Sequence, residues 1–175
     1  MSKPRSSENR MSHLCMDSSW GSIRIDAREG KITACRLPSL SAEPRRPFRW
    51  MGSRIEAVHT ADERILRKAE RFVKDMLGGR KCEPPSFAWP EATPFTLRVW
   101  RALEAIPRGA TQEYGAVAKK IGRPGGSRAV GRACGANPLP LFIPCHRVLP
   151  KDGTLGGFTG GLPWKRLLLE REGAR

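Results

Sequence analysis

The chain has 175 residues, with 32 Lys and Arg against 17 Asp and Glu, a formal charge of +15 and a pI of about 10.6. Its length suits one domain or two small units sharing an interface, and the charge surplus points to a polyanion, because Lys and Arg on phosphates release condensed counterions. No run approaches the roughly 18 apolar residues of a spanning helix, and five cysteines without C-x-x-C spacing argue against a disulfide framework or a zinc ribbon.

Residues 1–17 are polar and read as a flexible basic tail rather than a secretory signal. A reducing, cytoplasmic setting is therefore expected, nucleoid-associated if the host is prokaryotic, with no membrane contact. An α+β unit follows over 18–85. Ser22–Asp26 and Lys31–Leu37 alternate apolar and polar residues around Ala27-Arg28-Glu29-Gly30, which predicts a β-hairpin. Pro44 and Pro47 make 38–50 a loop or a poorly ordered edge. Thr60 with Glu63 forms a capping-box pattern, and Ile65, Leu66, Ala69, Phe72, Val73, Met76 and Leu77 then repeat at helical spacing until Gly78-Gly79. His13, Cys15, Cys35, His59 and Cys82 match no ligand spacing, so no metal is expected. Pro84, Pro85, Pro90 and Pro94 mark a connector.

A second, mainly helical unit is predicted over 92–175. Thr93 caps a helix with Pro94 at its first position. A shorter helix covers about 112–121, Gly122–Gly125 is a tight turn, and 127–134 is a further helix, so the pair reads as a helix-turn-helix. Arg128 and Arg132 share one face of the last helix among small residues, which lets its backbone approach DNA closely. Lys119, Lys120 and Arg123 suit phosphate contacts. An enzyme acting on a base must extrude its nucleotide, and Arg128 stands where a side chain would fill the vacated stack.

Next comes a short apolar strand, Leu141-Phe142-Ile143, behind the Asn137-Pro138-Leu139-Pro140 turn and ahead of Pro144-Cys145-His146-Arg147. A thiol beside a base is a candidate nucleophilic centre, because the thiolate is the reactive form. A free cysteine is otherwise a small buried hydrophobe.

These residues resemble the O6-alkylguanine-DNA alkyltransferases (methylated-DNA–protein-cysteine methyltransferases) from about Thr93 to Gly173. The likeness is carried by Thr93-Pro94-Phe95, Ile106-Pro107-Arg108-Gly109, Tyr114-Gly115, Ser127-Arg128-Ala129-Val130-Gly131, Asn137-Pro138 and Ile143-Pro144-Cys145-His146-Arg147-Val148. It continues through Leu155-Gly156-Gly157-Phe158 to Lys165–Leu169 and Glu172-Gly173. Residues 18–82 are similar to the family's N-terminal domain in layout only.

The resemblance implies direct-reversal DNA repair. The alkyl group of O6-alkylguanine, and of O4-alkylthymine, would pass from a flipped base in double-stranded DNA irreversibly to Cys145, in a monomer without cofactor. His146 would take the thiol proton through a water, Glu172 would steady the histidine, Asn137 would pin the turn, and Tyr114 would assist the leaving base. The carbonyls of Cys145 and Val148 would receive the exocyclic amine, and Gly156, Gly157, Phe158, Thr159 and Gly160 would close over the ring. Arg128 would be the finger, with Ser127, Ala129, Gly131, Arg132, Thr93 and Arg123 on DNA. Phe158 replaces a tyrosine common in relatives, and Thr159 a serine or a bulkier residue. A non-catalytic sensor of alkylated bases would lack the nucleophile. A helix-turn-helix DNA-binding regulator would not need His146, Asn137 and Glu172 beside the thiol.

Overall fold

The computed structural model describes residues 11–174. An antiparallel sheet forms from β1 (Ser12–Ser18), β2 (Gly21–Arg28), β3 (Lys31–Arg36) and β4 (Trp50–Glu56), in the order β3-β2-β1-β4. The expected hairpin is β2–β3. Glu29 and Gly30 both adopt positive φ, 53° and 70°, as a two-residue turn matching strand twist requires.

Two strands depart from expectation. Residues 12–17, assigned to the tail, form most of β1, while 1–10 lie outside the described residues. Leu14 and Met16 point into the core from β1, but serines fill the inward positions 12 and 18 and obscure the alternation. β4 takes up the end of the expected loop as an edge strand and is almost wholly exposed, so it carries no apolar period.

Helix α1 (Thr60–Leu77) lays the predicted stripe on the sheet, with Leu66, Ala69 and Val73 fully buried. Each large aliphatic side chain buried this way contributes about 1.5–3 kcal/mol. The capping box does not form: His59 is the N-cap, without a side-chain cap bond. Glu63 pairs with Arg67 instead, and Asp62 turns inward to Ser12 and the Gly30 amide. The proline connector runs beside β3, where Phe87 bridges Ile32.

Helix α2 (Pro94–Glu104) begins as expected, with the Thr93 hydroxyl accepting from the Thr96 amide. The next helix, α3 (Tyr114–Lys120), starts later than expected because Gln112–Glu113 form a short strand, β5. β5 pairs in parallel with β6 (Val148–Leu149). That pairing sets Tyr114, just after β5, near the Cys145 segment just before β6. Helix α4 (Ser127–Gly135) completes the helix-turn-helix by packing on α2 and α3, and α5 (Leu162–Glu172) packs on α1.

The expected strand before Cys145 is absent. Pro140 and Pro144 cannot donate ladder hydrogen bonds, and the amides of Phe142 and Ile143 both turn back to the Leu139 carbonyl. Cys145 opens a 3-10 turn, Cys145–Arg147.

Candidate active site

Asn137 organises the turn behind the sulfur. Its Oδ1 accepts from the Leu139 amide at 2.9 Å, and its Nδ2 donates to the Ile143 carbonyl at 2.8 Å and to Cys145 Sγ at 3.2 Å. Pro144, at φ −79° and ψ 64°, is the centre of an inverse γ-turn in which the Cys145 amide donates to Ile143 O at 2.8 Å. Cys145 is thereby held with 4 % of its surface exposed. Burial pushes its thiol up, against the Asn137 hydrogen bond and the positive charge of Lys165. At rest the sulfur is protonated.

His146, in the same 3-10 turn, is completely buried, with Nε2 3.0 Å from Glu172 Oε1. Glu172 ends α5 and receives Arg147 in a fork, Nε to Oε2 at 2.9 Å and Nη2 to Oε1 at 2.8 Å. Arg147 Nη1 donates to the Ile106 carbonyl at 2.6 Å. A carboxylate at a helix C-terminus is opposed by the backbone dipole, and burial alone would raise its pKa. Hydrogen bonds from His146 and Arg147, with their charges, prevail and hold Glu172 at about 2.

An ionised carboxylate only accepts, so the imidazole proton sits on Nε2. Burial also pushes the His146 pKa down, in spite of the carboxylate, which leaves a neutral ring at neutral pH. Its Nδ1 is buried and has no hydrogen-bond partner among the described residues. A free base nitrogen therefore lies one residue from the thiol.

Cys145 opens onto a hollow of about 390 Å³ that it lines with Tyr114, Gly131, Cys134, Gly135, Gly157, Phe158 and Thr159. Gly131, Cys134 and Gly135 lie at i, i+3 and i+4 on α4, so small residues on one helix face make this wall. Burial raises Tyr114 to about 12, which keeps its hydroxyl a donor. A second hollow of about 430 Å³ lies against Tyr114, lined by Glu113, Gly115, Ser127, Arg128, Gly131, Pro150 and Lys151.

The 6-O-methylguanine DNA methyltransferase DNA-binding-domain family matches residues 94–174. A methylated-DNA–protein-cysteine methyltransferase of Mycolicibacterium paratuberculosis is 36% identical over 157 residues, covering 90% of this chain and 89% of that protein. This chain belongs to the methylated-DNA–protein-cysteine methyltransferase family. The Salmonella typhimurium member is 53% identical over 81 residues, but the match spans 46% of this chain and 47%, about half, of that relative. The crystal structure of Mycobacterium tuberculosis OGT in complex with DNA superposes with a TM-score of 0.73 at 32% identity, covering 91% of each chain.

The family's expected residues are partly brought together. Asn137 hydrogen-bonds Cys145 and Glu172 hydrogen-bonds His146, two pairs joined by the Cys145–His146 peptide bond, and Tyr114, Gly157, Phe158 and Thr159 share the hollow with the sulfur. Val148, Gly156 and Gly160 do not line it. The Val148 carbonyl accepts from Lys165 Nζ at 2.8 Å. Ser127, Arg128 and Gly131 meet at the second hollow, whereas Ala129, Arg132, Arg123 and Thr93 lie outside it. Among the described residues no three His, Cys, Asp or Glu side chains cluster as a metal site would require, and no helix is long and apolar enough to cross a membrane.

Sequence reasoning assigned no role to Arg147, Lys165 or Cys134. Lys165 carried no signal that set it apart from its neighbour Arg166, both lying between Trp164 and Leu167-Leu168-Leu169, and only the fold shows it buried, where a lysine must find acceptors. It donates to the carbonyls of Val148 and, at 3.4 Å, Gly157. Cys134 was visible only as a helical neighbour of Gly131.

Proposed function

We propose that this chain repairs DNA by moving the alkyl group of O6-alkylguanine to Cys145 in a single turnover, with the damaged base flipped into the 390 Å³ hollow. The observation that carries this reading is that the sulfur lines that hollow beside a buried, neutral imidazole whose carboxylate partner stays ionised.

The thiol proton leaves for His146 Nδ1 by way of a water, and Glu172 stabilises the imidazolium that forms. Sulfur attacks the alkyl carbon in line, so a C–S bond forms as the C–O6 bond breaks. The electron pair left on the guanine is met by the Tyr114 hydroxyl, which donates a hydrogen bond or its proton. A thioether is a very poor leaving group, so Cys145 is spent. Double-stranded DNA is the partner, and a monomer is the working unit. Arg128, exposed at the first turn of α4, takes the space the base vacates. O4-alkylthymine presents the same alkyl–oxygen bond on a smaller ring and is taken as a second substrate. A non-catalytic sensor would have no use for a nucleophile with its own base.

The test is mass spectrometry after incubation with a duplex carrying O6-methylguanine. One methyl on the Cys145 peptide, absent from Cys145→Ser, is expected. Methyl on Cys134, or unmodified protein beside intact lesion, overturns the proposal.

A further inference from the structure

Three backbone hydrogen-bonding groups of one short segment, 35–40, reach out of the N-terminal sheet to both sides of the hollow. The Cys35 amide donates to the Pro138 carbonyl at 2.9 Å, in the turn pinned by Asn137. The Pro38 carbonyl accepts from Trp164 Nε1 at 3.0 Å, and the Leu40 amide donates to the Gly160 carbonyl at 2.7 Å. Gly160 directly follows Phe158 and Thr159, which line the hollow. The first bond thus bears on the wall behind the sulfur, and the third on the loop facing it.

The fit on the loop side depends on glycine. Gly161 has φ +104°, and a Cβ built on it would fall 1.9 Å from the Leu40 carbonyl oxygen. A Cβ on Gly160, at φ +93°, would lie 3.0 Å from Leu37 Cβ and 3.2 Å from Trp164 Cδ1. Real side chains do not approach backbone so closely, so residues 160 and 161 are in contact with the 37–40 segment with nothing between them. Trp164, which donates the middle bond, is buried edge-on to Trp20 and Phe48, with ring centroids 5.2 and 5.6 Å away. Glu43 adds an ion pair to Arg166 on α5.

We infer that segment 35–40 positions the base-closing loop, so that the N-terminal sheet sets the width of the hollow and hence the affinity for an extruded base. Leu40, Gly161 and Trp164 are positioning residues in this scheme; none touches the reacting atoms. The inference rests on the proposed alkyl transfer.

The experiment compares two reactions of Cys145 in Gly161→Ala: methylation by O6-methylguanine duplex, and carboxamidomethylation by iodoacetamide, which needs the sulfur but no base pocket. At least a tenfold rise in the DNA concentration giving half-maximal rate is expected, with iodoacetamide labelling within twofold of wild type. Unchanged methylation overturns the inference, and so does a parallel fall in both reactions, which would mean damage to the thiol centre itself. Trp164→Phe keeps an aromatic side chain of smaller size and removes the indole donor. It is expected to give a smaller change of the same kind, and it serves if Gly161→Ala does not fold. A wild-type protein that reacts with iodoacetamide and never with the duplex would defeat the transfer reading rather than this one.

Discussion

Of the buried carboxylates, Asp62 in the N-terminal half and Glu172 in the C-terminal half are held by different partners, while Asp26 is paired with Arg24 and Arg36 on the sheet. Asp62, in the first turn of α1, accepts from the Ser12 hydroxyl and the Gly30 amide, both at 2.8 Å. These neutral donors tie strand, hairpin turn and helix together. Glu172 is held by a guanidinium fork and an imidazole, so a full charge matches its own and one partner can change protonation. Burial is shared, but the donors differ. Neutral donors fix a position, whereas a titratable donor also links the carboxylate to a proton's movement.

Substitution at Glu172 sharpens the contrast most. Glu172→Gln removes the charge that would stabilise a protonated His146, so methyl transfer at neutral pH is expected to slow about 100-fold. The pH profile of Cys145 alkylation should move upward, because thiolate paired with imidazolium loses its support. A rate within threefold of wild type, measured by quenched single-turnover assay, breaks the distinction.

The same residue carries a pH signature. Its folded pKa, about 2, lies below the ordinary 4.5. The stability it contributes is therefore complete above about pH 4.5 and is lost as pH falls from there toward 2. The melting-temperature gap between wild type and Glu172→Gln should close over that window; a gap that stays constant would mean the carboxylate is not held by charge.

Asp62→Ala should behave oppositely, leaving the Ser12 hydroxyl and the Gly30 amide without their acceptor. A loss of about 1–3 kcal/mol in urea unfolding is expected, with the transfer rate of folded protein unchanged. The smallest effect belongs to Arg67→Ala, which breaks the exposed i,i+4 pair with Glu63. Less than about 0.5 kcal/mol is expected in the same unfolding measurement, and a larger loss would mean that exposed pairs matter here as much as Asp62 does.

The parts legible in the sequence were those with a local signature. The α1 stripe, the Thr93-Pro94 helix start and the Glu29-Gly30 turn each depend on residues a few positions apart. β1 escaped because two of its inward positions are serines, and Ser12 is buried to meet Asp62, 50 residues away. The capping box failed because Thr60 lies inside the helix with His59 as its N-cap, and Glu63 pairs with Arg67. In the site, the Cys145–His146 pair was readable from its chemistry and Asn137 as part of a turn, but the role of Asn137 came only with the family likeness. Glu172 was reachable only through the family likeness, because 26 residues separate it from His146 and no spacing rule joins them. The Arg147 fork needs that same fold to exist.

The resting protonation of Cys145 bears on how long an unused molecule stays useful. Oxidants and stray electrophiles attack sulfur in proportion to its anionic character and its accessibility. Both are low here, since the thiol is pushed up by burial and only 4 % exposed. Under the proposed single-turnover transfer, a thiol that is inert while it waits is an advantage, because the same enclosure that dries the site for chemistry would preserve the sulfur until a lesion arrives.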